Sequence, residues 1–108
     1  MITGVKDTAV VDYVSAENNK IKVVMVEDRE WDSSDQMYVD LQDKLTNYLV
    51  FIESGQLDTM YPDFKSAEKI IRLDFMYPTT KYAQLIIDKI RELLSSKNIG
   101  FEASILKK

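Results

Sequence analysis

The chain has no cysteine and no histidine among its 108 residues. The first absence excludes a disulfide framework and any thiolate nucleophile or ligand. The second leaves carboxylates, lysines and tyrosines as the candidate general bases. Glycine is scarce, with only Gly4, Gly55 and Gly100, so neither a P-loop nor a G-x-G-x-x-G turn can be written. No apolar run approaches the ~20 residues of a membrane span. The start, MITGVKDTAVVD, also lacks the basic-then-apolar layout of a signal peptide. The expected location is the cytoplasm, with no membrane contact.

What is present suits an ordinary globular fold. Hydrophobic residues make up 45% of the chain and charged residues 30%, enough apolar surface for one domain spanning residues 1–108 to bury a core without staples. The net charge is −4. Nucleic-acid binders usually present a basic face, and no basic patch stands out here, so no nucleic-acid partner is expected.

The hydrophobic pattern predicts the elements. TAVVDYVSA and KIKVVMVE are rich in β-branched residues and flank ENN, which reads as a hairpin over Thr8 to Glu27. Ser33 and Gln36 have the spacing of a capping box. A helix follows from about Ser34 to Ser54, with Tyr38, Leu41, Leu45, Tyr48 and Ile52 as its inward stripe and Gly55 as its left-handed stop. Residues 56–67 read as a long polar connection carrying Leu57, Met60, Tyr61 and Phe64. KIIRLDFMY alternates as a half-buried strand. Pro78 and Thr79 or Thr80 then open a second helix with the stripe Ala83, Ile86, Ile87, Ile90, Leu93 and Leu94. Asn98 and Gly100 break it before a last strand, FEASIL. The order ββαβαβ implies an α+β fold: a two-layer sandwich, a four-stranded sheet with two helices on one face. The other sheet face is expected to put Lys20, Lys22, Arg72, Asp74, Glu102 and Ser104 into water.

Chemistry has few places to sit. Glu27, Asp28, Glu30, Asp32, Asp35, Asp40 and Asp43 gather around a single Arg29. Asp28, Glu30 and Asp32 alternate like calcium ligands, but the sixth loop position is Ser33 instead of Gly and the twelfth is Val39 instead of Glu. Acids at a helix N-terminus are favoured by its dipole in any case. Ser-x-x-Lys occurs twice, at Ser66 and Ser104, without partner motifs. Phe75 and Tyr77 share a strand face, as stacking aromatics do in RNA-binding sheets, yet Phe75 alternates with Ile71 and Leu73 and reads as core. Trp31 is expected to clamp the strand-to-helix corner against Met37 or Tyr38. No catalytic, cofactor-binding or metal-binding residues are assigned, and no enzyme activity or cofactor is expected.

The segment TNYLVFIESG poses the main question, because Leu49, Val50, Phe51 and Ile52 cannot all face one sheet. Setting Leu41 at zero on the helical wheel puts the flanking residues Leu49 at about 80° and Phe51 at about −80°. Val50 and Val39 point away from the sheet, at about 180° and about 160°. Three things can cover this surplus: the 56–67 connection folded back, a second copy of the chain, or another protein.

EWDSS, LQDKLTNYLVFIESG, two YP pairs and a helix ending in GFE together resemble a family of small bacterial proteins catalogued as a domain of unknown function. The resemblance runs from Asp12 to Ile105 and is most specific over Leu41 to Gly55. It implies a soluble bacterial protein and assigns no activity.

These features predict a non-enzymatic protein-interaction module. The interaction residues expected are Glu30, Trp31, Asp32, Val39, Asp40, Asp43, Val50, Phe51, Met60 and Tyr61, and the partner is another protein or a second copy in a weak homodimer. The alternative is a domain that binds a small molecule or peptide through the aromatic 56–67 loop and the open sheet face.

Overall fold

A computed structural model describes residues 13–31 and 35–105, without the side chains of Tyr13 and Asp35. The strands are β1 (Tyr13–Glu17), β2 (Lys20–Glu27), β3 (Glu68–Phe75) and β4 (Gly100–Ile105). The helices are α1 (Asp35–Glu53), the short α2 (Gln56–Met60) and α3 (Lys81–Ser96), with a 3-10 turn at Pro62–Phe64. The class is α+β, but the element order is ββααβαβ, one helix more than expected. The 56–67 connection is not a plain loop. The expected strand start at Thr8 and the capping Ser33 lie outside the described residues.

The sheet runs in the order β1-β2-β3-β4. β1 pairs with β2 antiparallel through the tight turn at Asn18 and Asn19, and Asn18 takes a left-handed φ of 55° that asparagine tolerates. β2–β3 and β3–β4 pair parallel, so α1 and α3 serve as the crossover helices that parallel neighbours require. The register aligns Val23 with Ile71 and Phe101, and Met25 with Leu73 and Ala103. That face meets Leu41, Leu45 and Tyr48 of α1 and Ala83, Ile87, Ile90 and Leu94 of α3 in one core.

The helix ends follow from local chemistry. Gly55 closes α1 at φ 86°. Thr80 caps α3 by accepting a hydrogen bond from the Ala83 amide at 3.1 Å, and Asn98 ends it at φ 63°, while the Ile99 amide donates to Leu94 O. A Cβ on Gly100 would come to 3.1 Å from Ile70 Cγ1, so the start of β4 leaves room for the Ile70 side chain.

The second sheet face departs from expectation. Lys22 does reach Glu102, at 2.9 Å, and Arg72 Nε bonds Asp74 at 2.6 Å, but Val24, Ile70 and Asp74 are buried there. To reach β4 from β2 the Lys22 stem must cross β3, and the register puts Ile70 beneath that path. Long basic stems cover apolar surface in this way while their heads stay wet. The face is an ion-pair ladder over apolar residues.

Candidate interaction surface

α1 packs with its stripe down on the sheet, and its two flanks have different fates. On the flank of Asp40 and Lys44, polar groups dominate and are joined. Glu27, at the end of β2, is fully buried. Arg29 leaves the strand two residues later and folds back, so Nε and Nη2 each donate to one Glu27 carboxylate oxygen at 2.9 Å. Its Nη1 donates to Asp40 Oδ2 at 3.0 Å, and Gln36 Nε2 donates to Asp40 Oδ1 at 2.8 Å. The hydrogen bond to Glu27 chiefly holds the Arg29 guanidinium above its usual pKa, with Asp40 adding to the effect and burial opposing it. Lys44 is fully buried on this flank and lies over the Tyr48 ring. Tyr48 in turn donates its hydroxyl to Val24 O at 2.7 Å.

This arrangement reshapes the expected acidic field. Glu27 and Asp40 are both paired with Arg29, whereas Asp28, Glu30 and Asp43 are exposed. Asp32 lies outside the described residues. Among the described residues no cluster of three or more His, Cys, Asp or Glu is placed to hold a metal ion. Nothing in the local sequence marked Lys44 as buried.

Trp31 is buried, not presented at the surface. It stacks on Tyr38 with ring centroids 6.3 Å apart, meets Phe75 edge-on, and donates its indole N–H to Tyr77 O at 3.1 Å. It therefore clamps the corner between β2 and α1. Phe51 is also buried, and so is Leu49, so both flanking residues of the surplus are covered within the fold. The 56–67 segment contributes Leu57, fully buried, with Tyr61 and Phe64 packed against the core. Lys69 ties that segment down through Lys65 O at 2.7 Å and Asp58 at 3.2 Å. Met60 stays exposed. Val39 and Val50 are 46% and 59% exposed, with no described residue covering them.

The flank of α1 toward α3 is apolar and open. Leu41 and Leu45 face Ile86, Ile90 and Leu93 across a groove of about 560 Å³, whose rims carry Val39, Gln42, Tyr82 and Lys89. Tyr38 and Tyr82 meet edge-on at 4.7 Å at one end, and Lys97 approaches Glu53 to 3.9 Å at the other. Fifteen residues separate these contacts on each helix, from Tyr38 to Glu53 and from Tyr82 to Lys97, so the two helices run parallel and level. Leu93, expected in the buried stripe, is 45% exposed on the groove side, and Tyr82 is 48% exposed. Tyr82 was missed, although its spacing to Ile86 and Leu93 puts all three on one side of α3.

A larger depression, about 830 Å³, lies at the amino ends of β3 and β4. Its cations are already engaged: Lys69 with Asp58, Arg91 with Asp88 and Lys97 with Glu53. It offers an anionic ligand little free positive charge.

A family model described as a family of unknown function (DUF6572) matches residues 3–107. The chain belongs to that family. The match takes in every described element of the DUF6572 fold, including both walls of the groove. No curated protein and no solved structure matches the chain. Among the described residues of this DUF6572 protein, no helix is long and apolar enough to cross a membrane.

Proposed function

We propose that this protein is a non-enzymatic protein-interaction module whose working surface is the helical face formed by α1 and α3. The observation that carries the reading is the apolar groove, unfilled by any described residue, between two helices whose side chains touch at both ends. Val39, Tyr82 and Leu93 are large apolar side chains exposed along the groove, and Val50 and Leu85 are exposed beyond it on α1 and α3. Scattered single exposures need no explanation, whereas a contiguous apolar patch marks a contact surface. Grooves of this kind accept an apolar helical face. The non-enzymatic part rests on the polar groups: Glu27, Arg29 and Asp40 hold one another, and the cations of the larger depression are paired with Asp58, Asp88 and Glu53.

The reading in which the 56–67 loop and open sheet face bind a small molecule or peptide has less support. Tyr61 and Phe64 pack inward, and the Lys22–Glu102 bridge crosses the sheet.

A photo-crosslinking residue at position 93, activated in the cells that make the protein, tests the proposal. A discrete protein adduct should form there, disappear with Val39→Asp in the same chain, and be absent when the crosslinker replaces exposed Lys65. Equal labelling from both positions, or none from position 93, would overturn it.

A further inference from the structure

We propose that the occupant of the helical face is a second copy of this chain, related by a twofold axis that runs parallel to α1 and α3 above the groove. This rests on the reading of that face as the interaction surface. Such an axis lays α1 of one copy along α3 of the other without changing the direction or height of either helix.

Height is what makes the pairing specific. The Tyr38–Tyr82 and Glu53–Lys97 contacts share one offset, so every α1 residue has a level counterpart on α3. At 1.5 Å of rise per residue, Val39 stands within ~3 Å of the level of Tyr82 and Leu85, and Val50 within ~2 Å of Leu93. Asp43 stands within ~3 Å of Lys89 by the same measure. All of these side chains are exposed. Asp43 and Lys89 have no ion-pair partner in their own chain among the described residues, while Asp88–Arg91 and Glu53–Lys97 are paired internally. Val39 and Val50 on α1 thus meet Tyr82, Leu85 and Leu93 on α3, with an acid opposite a base between them, and the twofold repeats the match.

The alternative twofold, perpendicular to the helices, sets α1 antiparallel on α1. It brings Val39 to Val50 of the second copy, but leaves Asp43 opposite Thr46 and sets Leu85 of α3 against Glu92. The one acid it sets opposite Lys89 is Asp88, which Arg91 already holds. The size suits a weak dimer. Two helices lying side by side for ~24 Å present a face ~20 Å wide, ~480 Å² in projection, below the ~800 Å² that each partner brings to a standard interface.

The test is sedimentation equilibrium on wild type, Asp43→Lys and Lys89→Asp, each checked for unchanged helicity. Wild type should dimerise. Each variant alone should dimerise about tenfold more weakly or worse, because both symmetric pairs become like-charged. An equimolar mixture of the two should recover dimer, since it restores an opposite pair at both positions in trans. A mixture no tighter than the separate variants, or a dimer indifferent to either change, would overturn this seating. A wild type that stays monomeric at all concentrations while position 93 still crosslinks to a different protein overturns the self-pairing and leaves the helical face as the interaction surface. Loss of that crosslink as well removes both.

Discussion

The two flanks of α1 carry the same kind of helix and opposite solutions. On one, Glu27, Arg29 and Asp40 form a closed set of hydrogen bonds under partial burial. On the other, Leu41, Leu45, Ile90 and Leu93 border a groove that no part of the described chain fills. A buried polar group without partners costs far more than an apolar group left in water. The first flank is therefore complete within the monomer, and only the second has free energy to gain from an additional contact.

That contrast can be broken from its strongest side. Arg29→Ala should destabilise the fold by about 3 kcal/mol, because it strands the buried Glu27 carboxylate. Chemical denaturation reads this directly, and a loss below about 1 kcal/mol would mean that Glu27 finds other solvation. At the floor of the groove, Leu45→Ala should cost ~2–3 kcal/mol as a core truncation, and a melt unchanged from wild type would mean Leu45 is not core. Thr80→Ala removes one N-cap and should cost ~1 kcal/mol, whereas Thr80→Ser should recover most of it in the same melts. The smallest effect belongs to the outward side. Val50→Gln replaces an exposed β-branched residue with a better helix former and should leave stability within ~0.5 kcal/mol. At a dilution where association is absent, a larger loss would show that Val50 is covered within the monomer.

Much of this was readable from spacing. The α1 stripe, Gly55 as its stop, the Thr80 cap and the alternation in β3 are local signals set by helical and strand periods. The wheel also placed Val39 and Val50 outward, where they are. It gave Leu49 and Phe51 as edge positions, and whether an edge is covered depends on what packs beside it. α2 escaped notice because five residues are too few to show a helical period. The burial of Ile70 goes with Lys22 reaching across β3 to Glu102, which no local window contains. Leu93 looked like core because a stripe is read as a single face, whereas α3 leans its Leu93 side toward a neighbouring helix that stands off from it. The pairing of Glu27 with Arg29 spans only two residues, yet it forms only because the chain bends back at the end of β2.

The central claim is that the groove flank is surplus to the fold and reserved for contact. The most direct measurement is the denaturant stability of Val39→Gln/Leu93→Gln at a dilution where any association is absent. The account predicts a value within about 1 kcal/mol of wild type, as for surface changes. A loss of about 3 kcal/mol or more, comparable to truncating Leu45, would place these side chains in the core and contradict it.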